Sequence, residues 1–137
     1  MNIRIRRVDY FYLTVKDRPG EAYKLLALLA ERGIALLAFT AIPSGEQRTQ
    51  LTLFPEDAQR LTVEARNAGL ALEGPHPALL VQGDNDLGAL ADLHRRLYEA
   101  NINVYAASGV TDGRKGFGYL VYVQSADYER AAQVLGV

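Results

Sequence analysis

Cysteine is missing from all 137 residues, which excludes disulfides, thiol catalysis and cysteine-ligated zinc and fits a reducing cytosol. No apolar run approaches the roughly 18 residues that a membrane-spanning helix needs. The opening Met1-Asn2-Ile3-Arg4-Ile5-Arg6-Arg7 lacks the apolar stretch of a signal peptide. A dominant charge is lacking too. With 15 Lys+Arg against 16 Asp+Glu the net is −1, which gives no bulk attraction for nucleic-acid phosphates or anionic membranes. What is present is 49% hydrophobic residues, enough for a core and too many for a disordered chain. A cytoplasmic protein without membrane contact is expected, built as one ordinary domain or two small ones.

Self-comparison favours two. An offset of 68 positions sets Gly20 on Gly88, Leu25 on Leu93, Leu29 on Leu97, Glu31 on Glu99, Ile34 on Ile102, Ala38 on Ala106 and Gly45 on Gly113. In the first copy Val8–Val15 is apolar, β-branched and aromatic, as a buried strand is. Asp17-Arg18-Pro19-Gly20 breaks it and opens a helix whose Ala22, Leu25, Leu26 and Leu29 form one apolar stripe, stopped by Gly33. Ile34–Ile42 reads as a strand, Pro43-Ser44-Gly45-Glu46 as a turn, and Thr49–Phe54 as a strand. Pro55-Glu56-Asp57 starts a second helix, and Leu70–Leu72 reads as a short closing strand. The order is βαββαβ, an α+β, ferredoxin-like plan with an antiparallel sheet and both helices on one face.

After a Gly74-Pro75-His76-Pro77 linker the second copy repeats the order in Ala78–Gln82, Leu87–Ala100, Ile102–Val110, Phe117–Val123 and Asp127–Leu135. The expected domains are therefore 1–74 and 75–137. The second copy lacks a closing strand. The alternation Ile3-Arg4-Ile5, or another chain, is expected to cover the edge left bare.

Asp17-Arg18-Pro19-Gly20-Glu21, between first strand and first helix, together with the Glu31-Arg32-Gly33-Ile34 exit, resembles the ACT domain. That family is a ferredoxin-like module that binds small effectors, usually amino acids. The second copy keeps Gly88 and the Ala100-Asn101-Ile102-Asn103 exit but has Leu87 in place of the proline. Physical chemistry points the same way. A helix start offers unpaired N–H groups and a positive dipole end to a carboxylate, and glycine admits a ligand close to the backbone. Asp17 can cap the helix or accept from an ammonium group.

The resemblance implies a ligand held between two modules, one giving its first loop and the other a polar residue at its second strand. The loop positions are Asp17, Arg18, Pro19 and Gly20 in the first copy, and Asn85 and Gly88 in the second. The strand positions are Ala35 and Asn103. Since an alanine side chain makes no hydrogen bond, one good site per chain is expected, from Asp17, Gly20 and Asn103, within one chain or between chains.

A rival string is Lys115-Gly116-Phe117-Gly118-Tyr119-Leu120-Val121-Tyr122, which fits the RNP1 pattern of RNA-recognition motifs on the third strand of the same plan. Against it, Leu79-Leu80-Val81-Gln82 offers no companion aromatic, and the net charge is −1. The offset also matches Tyr119 and Val121 to Leu51 and Leu53, on the face that meets the helices.

Catalytic patterns are weak. His76 lies between prolines and His94 stands alone on its helix, so both suit surface or packing roles. Asp84 and Asp86 read as caps. Tyr10-Phe11-Tyr12 either lines a pocket or belongs to a strand buried on both sides. The expectation is a non-enzymatic, allosteric sensor that binds a free amino acid and needs no cofactor or metal. It is expected to form a homodimer through exposed sheet edges and to signal to a separate regulated enzyme, with RNA binding as the alternative.

Overall fold

The apolar runs of the first copy become strands and helices, and their counterparts follow 68 positions later. The computed structural model describes residues 3–84 and 87–137. Its first six elements are β1 (Ile3–Lys16), α1 (Glu21–Glu31), β2 (Leu36–Pro43), β3 (Arg48–Pro55), α2 (Ala58–Asn67) and β4 (Glu73–Asp84). They are followed by α3 (Leu87–Glu99), β5 (Val104–Thr111), β6 (Gly116–Val123), a 3-10 turn at Ser125–Asp127 and α4 (Tyr128–Val134). Both ends of β2 and β3 map onto those of β5 and β6 at the offset of 68. Even the register irregularity of β2, between Leu36 and Ala38, recurs in β5 between Val104 and Ala106.

The backbone repeats as faithfully as the elements. Helix α1 ends with Gly33 at φ 68°, and α3 ends with Asn101 at φ 58°. In each, two hydrogen bonds close the end in the Schellman pattern: Gly33 N–H to Ala30 and Ile34 N–H to Leu29, then Asn101 N–H to Tyr98 and Ile102 N–H to Leu97. Ile34 and Ile102, the residues after each turn, are buried. The hairpins match as well, with left-handed Gly45 and Gln47 against Gly113 and Lys115.

The chain divides into a central unit, Asp9–His76, and a flanking unit, Met1–Val8 with Pro77–Val137. Each has the ferredoxin-like plan. In the central unit the strand order is β2-β3-β1-β4, and β1–β3 and β2–β3 pair antiparallel. Phe11, Leu51 and Leu53 on this sheet meet Leu25 and Leu29 of α1 and Leu61 of α2. In the flanking unit the order is β1-β4-β6-β5, with β4–β6 and β5–β6 antiparallel. There Leu79, Val81, Val121 and Val123 pack on Leu93 and Leu97 of α3 and on Tyr128, Ala131 and Ala132 of α4. Full burial of one such leucine contributes about 1.5–3 kcal/mol, so these stripes hold the helices on the sheets.

Two expected elements differ. Leu70–Leu72 is not a strand; Leu70 and Leu72 pack onto the central core. The closing strand is Glu73–His76, and the segment expected to be a linker is continuous β4. Proline 75 is tolerated because Glu73–His76 is the edge strand of the central unit, where an N–H is not required on the outer side. Strand β1 starts at Ile3, and its first residues form the strand that the second copy lacks, with Ile3 and Ile5 packed on the flanking core. No helix among the described residues is long and apolar enough to cross a membrane.

Candidate functional site

The break after β1 arises because Asp17-Arg18-Pro19-Gly20 leaves the extended conformation, and Gly20 reverses the chain at φ 91°. Gly20 is the N-cap of α1, and no side chain caps this helix. Asp17 therefore does not serve as the cap; three residues upstream, it is tied through its backbone N–H to the Gln47 carbonyl at 2.8 Å. The first N–H groups of α1 are left without a side-chain acceptor. Helix α2 shows the contrast, since its Asp57 carboxylate accepts from Arg60 N–H at 3.1 Å.

Antiparallel pairing of β1 with β3 sets Lys16 opposite Arg48. The loop after β1 and the β2–β3 hairpin are therefore neighbours, and they enclose a cleft of about 390 Å³ lined by Lys16, Asp17, Arg18, Glu46, Gln47 and Arg48. Three cations and two carboxylates face one small volume. Arg18 hydrogen-bonds the Glu21 carboxylate in the first turn of α1 and holds that carboxyl below the usual glutamate range. A cleft of mixed sign suits a small zwitterion: cationic groups for a carboxylate, Asp17 or Glu46 for an ammonium.

The structure thus brings Asp17 and Arg18 of the expected set to the cleft. Pro19 and Gly20 shape the turn without lining it. Gly88 sits in the first turn of α3, and Asn103 is an exposed residue just before β5, both in the flanking unit. Asn85 and Asp86 lie outside the described residues. Sequence reasoning missed Glu46, Gln47 and Arg48. The signal that finds them is the βαββαβ order itself, because β1 and β3 are central neighbours and the hairpin before β3 must flank the loop after β1.

The other singled-out residues have packing roles. Tyr119 and Phe117 lie against the flanking core, and the Tyr119 hydroxyl bonds His94 on α3 at 2.7 Å, so neither ring forms an open stacking platform. The RNA-binding alternative has no support. Phe11 is core, whereas Tyr12 stacks on His76 with ring centroids 5.5 Å apart and Tyr10 tilts on it at 5.3 Å. His76 Nε2 is buried and lies 3.7 Å from Glu73, beyond hydrogen-bond reach. Among the described residues no three histidine or carboxylate side chains converge on a metal position.

No family model and no curated protein sequence matches this chain. Solved structures do. Protein BT0572 from Bacteroides thetaiotaomicron aligns with a TM-score of 0.78 at 14% identity, over 96% of this chain and 88% of that one. The ligand-free regulatory subunit of aspartate kinase from Thermus thermophilus aligns at 0.65 with 16% identity, over 97% and 93%. Aspartokinase III of E. coli, in complex with lysine and aspartate, aligns at 0.52 with 17% identity, over 98% of this chain and 32% of that one. The likeness is one of fold, and the fold is ACT-like.

Proposed function

We propose that this protein is a regulatory sensor that binds a free amino acid and performs no catalysis. The observation that carries this reading is the cleft joining the Asp17–Gly20 loop to the Glu46–Arg48 hairpin, with both charge signs in about 390 Å³. The ligand carboxylate engages Arg48 or Lys16, and its ammonium engages Asp17 or Glu46. Asn103 of a second copy of the chain adds an amide to the ligand. Regulatory subunits of aspartate kinase have this fold, and the E. coli aspartokinase structure holds amino acids; both support the reading. The output passes to a separate enzyme: binding favours one packing of the modules and so shifts a population.

A thermal-shift screen against the twenty amino acids tests this, run on the wild type and on Asp17→Asn, Arg48→Gln and Asn103→Ala. A ligand-dependent rise that Asp17→Asn and Arg48→Gln weaken supports the sensor, and its loss in Asn103→Ala supports the contribution of the amide. No rise with any amino acid overturns the proposal. The exposed edges β2 and β5 favour a homodimer, which light scattering at micromolar concentration checks.

A further inference from the structure

We infer that the outer face of α1 is a docking surface for a second copy of this chain, packed antiparallel about a two-fold axis beside Ala27. The inference does not rest on amino-acid binding. One stripe of the helix, Ala22, Leu25 and Leu29, packs into the core of the central unit. A second stripe points away from it: Tyr23, Leu26, Ala27 and Ala30 recur at i, i+3, i+4 and i+7. Tyr23 is 74% exposed and Leu26 37%. Only Glu21, Lys24 and Glu31 carry charge along the whole helix. A helix that is apolar on both sides is one that packs on both sides. Helix α2 shows the contrast: apart from Val63, its exposed positions are the polar Gln59, Arg60, Thr62, Arg66 and Asn67.

Charge names the occupant. Within the chain Arg18 pairs with Glu21, and Arg32 pairs with Glu64 at 2.9 Å. Lys24 and Glu31, which edge the outer stripe, make no salt bridge among the described residues. They lie about two turns apart on one flank, equidistant from the point between Ala27 and Leu28. Two antiparallel copies centred there set Lys24 of each against Glu31 of the other, so the flank complements itself twice. A parallel pair opposes like charges instead. The small Ala27 and Ala30 let the axes approach to about 8–10 Å, and Tyr23 of each copy lies along Ala30 of the other. A membrane surface is a poor match, because the flank carries one charge of each sign where a lipid-binding helix carries basic residues.

The chain has no cysteine, so an introduced thiol reports the contact without background. Ala27→Cys, beside the axis, should give a disulfide-linked dimer under mild oxidation at micromolar concentration. Ala91→Cys, exposed on α3, should not cross-link under the same conditions. In the Ala27→Cys chain, Lys24→Glu and Glu31→Lys should each slow cross-linking about fivefold, and the two together should restore it. Both reversals suit the helix dipole, with an acid near its start and a base at its end, so the fold is kept. Sedimentation velocity on the cysteine-free chain should give the same ranking, with wild type and double reversal associating more strongly than either single reversal. Equal cross-linking of Ala91→Cys, or a double reversal as weak as the single ones, overturns the interface. So does association that ignores both reversals, which would belong to the strand edges or to another surface.

Discussion

The Tyr119 hydroxyl lies 2.7 Å from His94 Nε2, and the two rings meet edge-on with centroids 5.7 Å apart. This pair ties β6 to α3 inside the flanking unit and explains two residues that look functional in isolation. A lone histidine and an RNP1-like tyrosine satisfy each other. Tyr119→Phe keeps the ring contact and removes the shared hydrogen bond, so urea unfolding should show a loss of about 1 kcal/mol. Tyr119→Ala also empties ring volume and should cost about 3–5 kcal/mol. A phenylalanine variant as stable as the wild type would mean that the bond is not made in solution.

The paired helix exits make a second prediction with an internal control. Gly33 and Asn101 occupy the same left-handed position in the two repeats, at φ 68° and 58°. Asparagine tolerates this conformation better than other non-glycine residues, and alanine pays about 1–2 kcal/mol there. Asn101→Gly should therefore lie within about 0.5 kcal/mol of the wild type, and Asn101→Ala should lose about 1 kcal/mol. Gly33→Ala should lose more, because its Cβ meets Arg60 Nη2 at 2.9 Å and displaces the bond from Arg60 to the Arg32 carbonyl. Thermal or urea unfolding ranks the three.

Such correspondences show how much of the fold was legible. Leucines at helical spacing, glycine stops and alternating strands are local features, and each repeat restates them, so the 68-residue offset located β2, β3, β5 and β6 together. The boundary between the copies was not legible. Gly74-Pro75-His76-Pro77 has linker composition, and only the edge position of Glu73–His76 in the central unit makes it a strand. The length of β1 was hidden for a related reason: Arg4, Arg6 and Arg7 dilute its apolar signal, although Ile3 and Ile5 face the core. At the candidate site the Asp17–Gly20 break was visible as a turn. Glu46 and Arg48 were not, because their nearness to Asp17 comes from the β1–β3 register, which is a tertiary fact.

The approach of β4 to β1 gives a sharp test of the misread segment. A Cβ built on Gly74 would lie 2.8 Å from the Tyr10 carbonyl oxygen and 3.2 Å from Phe11 Cα, and Gly74 has φ 144°. Backbone atoms cannot yield as a flexible side-chain tip does. Gly74→Ala should therefore destabilise the protein by about 2–4 kcal/mol, read by denaturant midpoint, since clash and backbone strain add. Gly118→Ala is the control, because a Cβ there meets nothing within 4 Å. Equal stability of the two variants would show that Glu73–His76 does not pair closely with β1.

The alkaline limb of the stability curve should report one phenol. Tyr122, half-buried on β6, has its pKa raised above the ordinary tyrosine value, first by burial and then by the neighbouring Tyr105, whose ring centroid is 6.3 Å away. A raised native pKa means that the folded state holds this proton more tightly than the unfolded chain does. Below the unfolded tyrosine value of about 10 both states are protonated and the contribution is complete; it is lost as pH rises through that value towards the native one. Stability measured by urea unfolding should therefore fall on the alkaline side, and Tyr122→Phe should make that fall shallower. The tyrosinate absorbance difference between wild type and Tyr122→Phe should show a transition displaced to higher pH. An alkaline slope that is the same in both proteins would mean that the Tyr122 phenol is as well solvated in the fold as in the open chain.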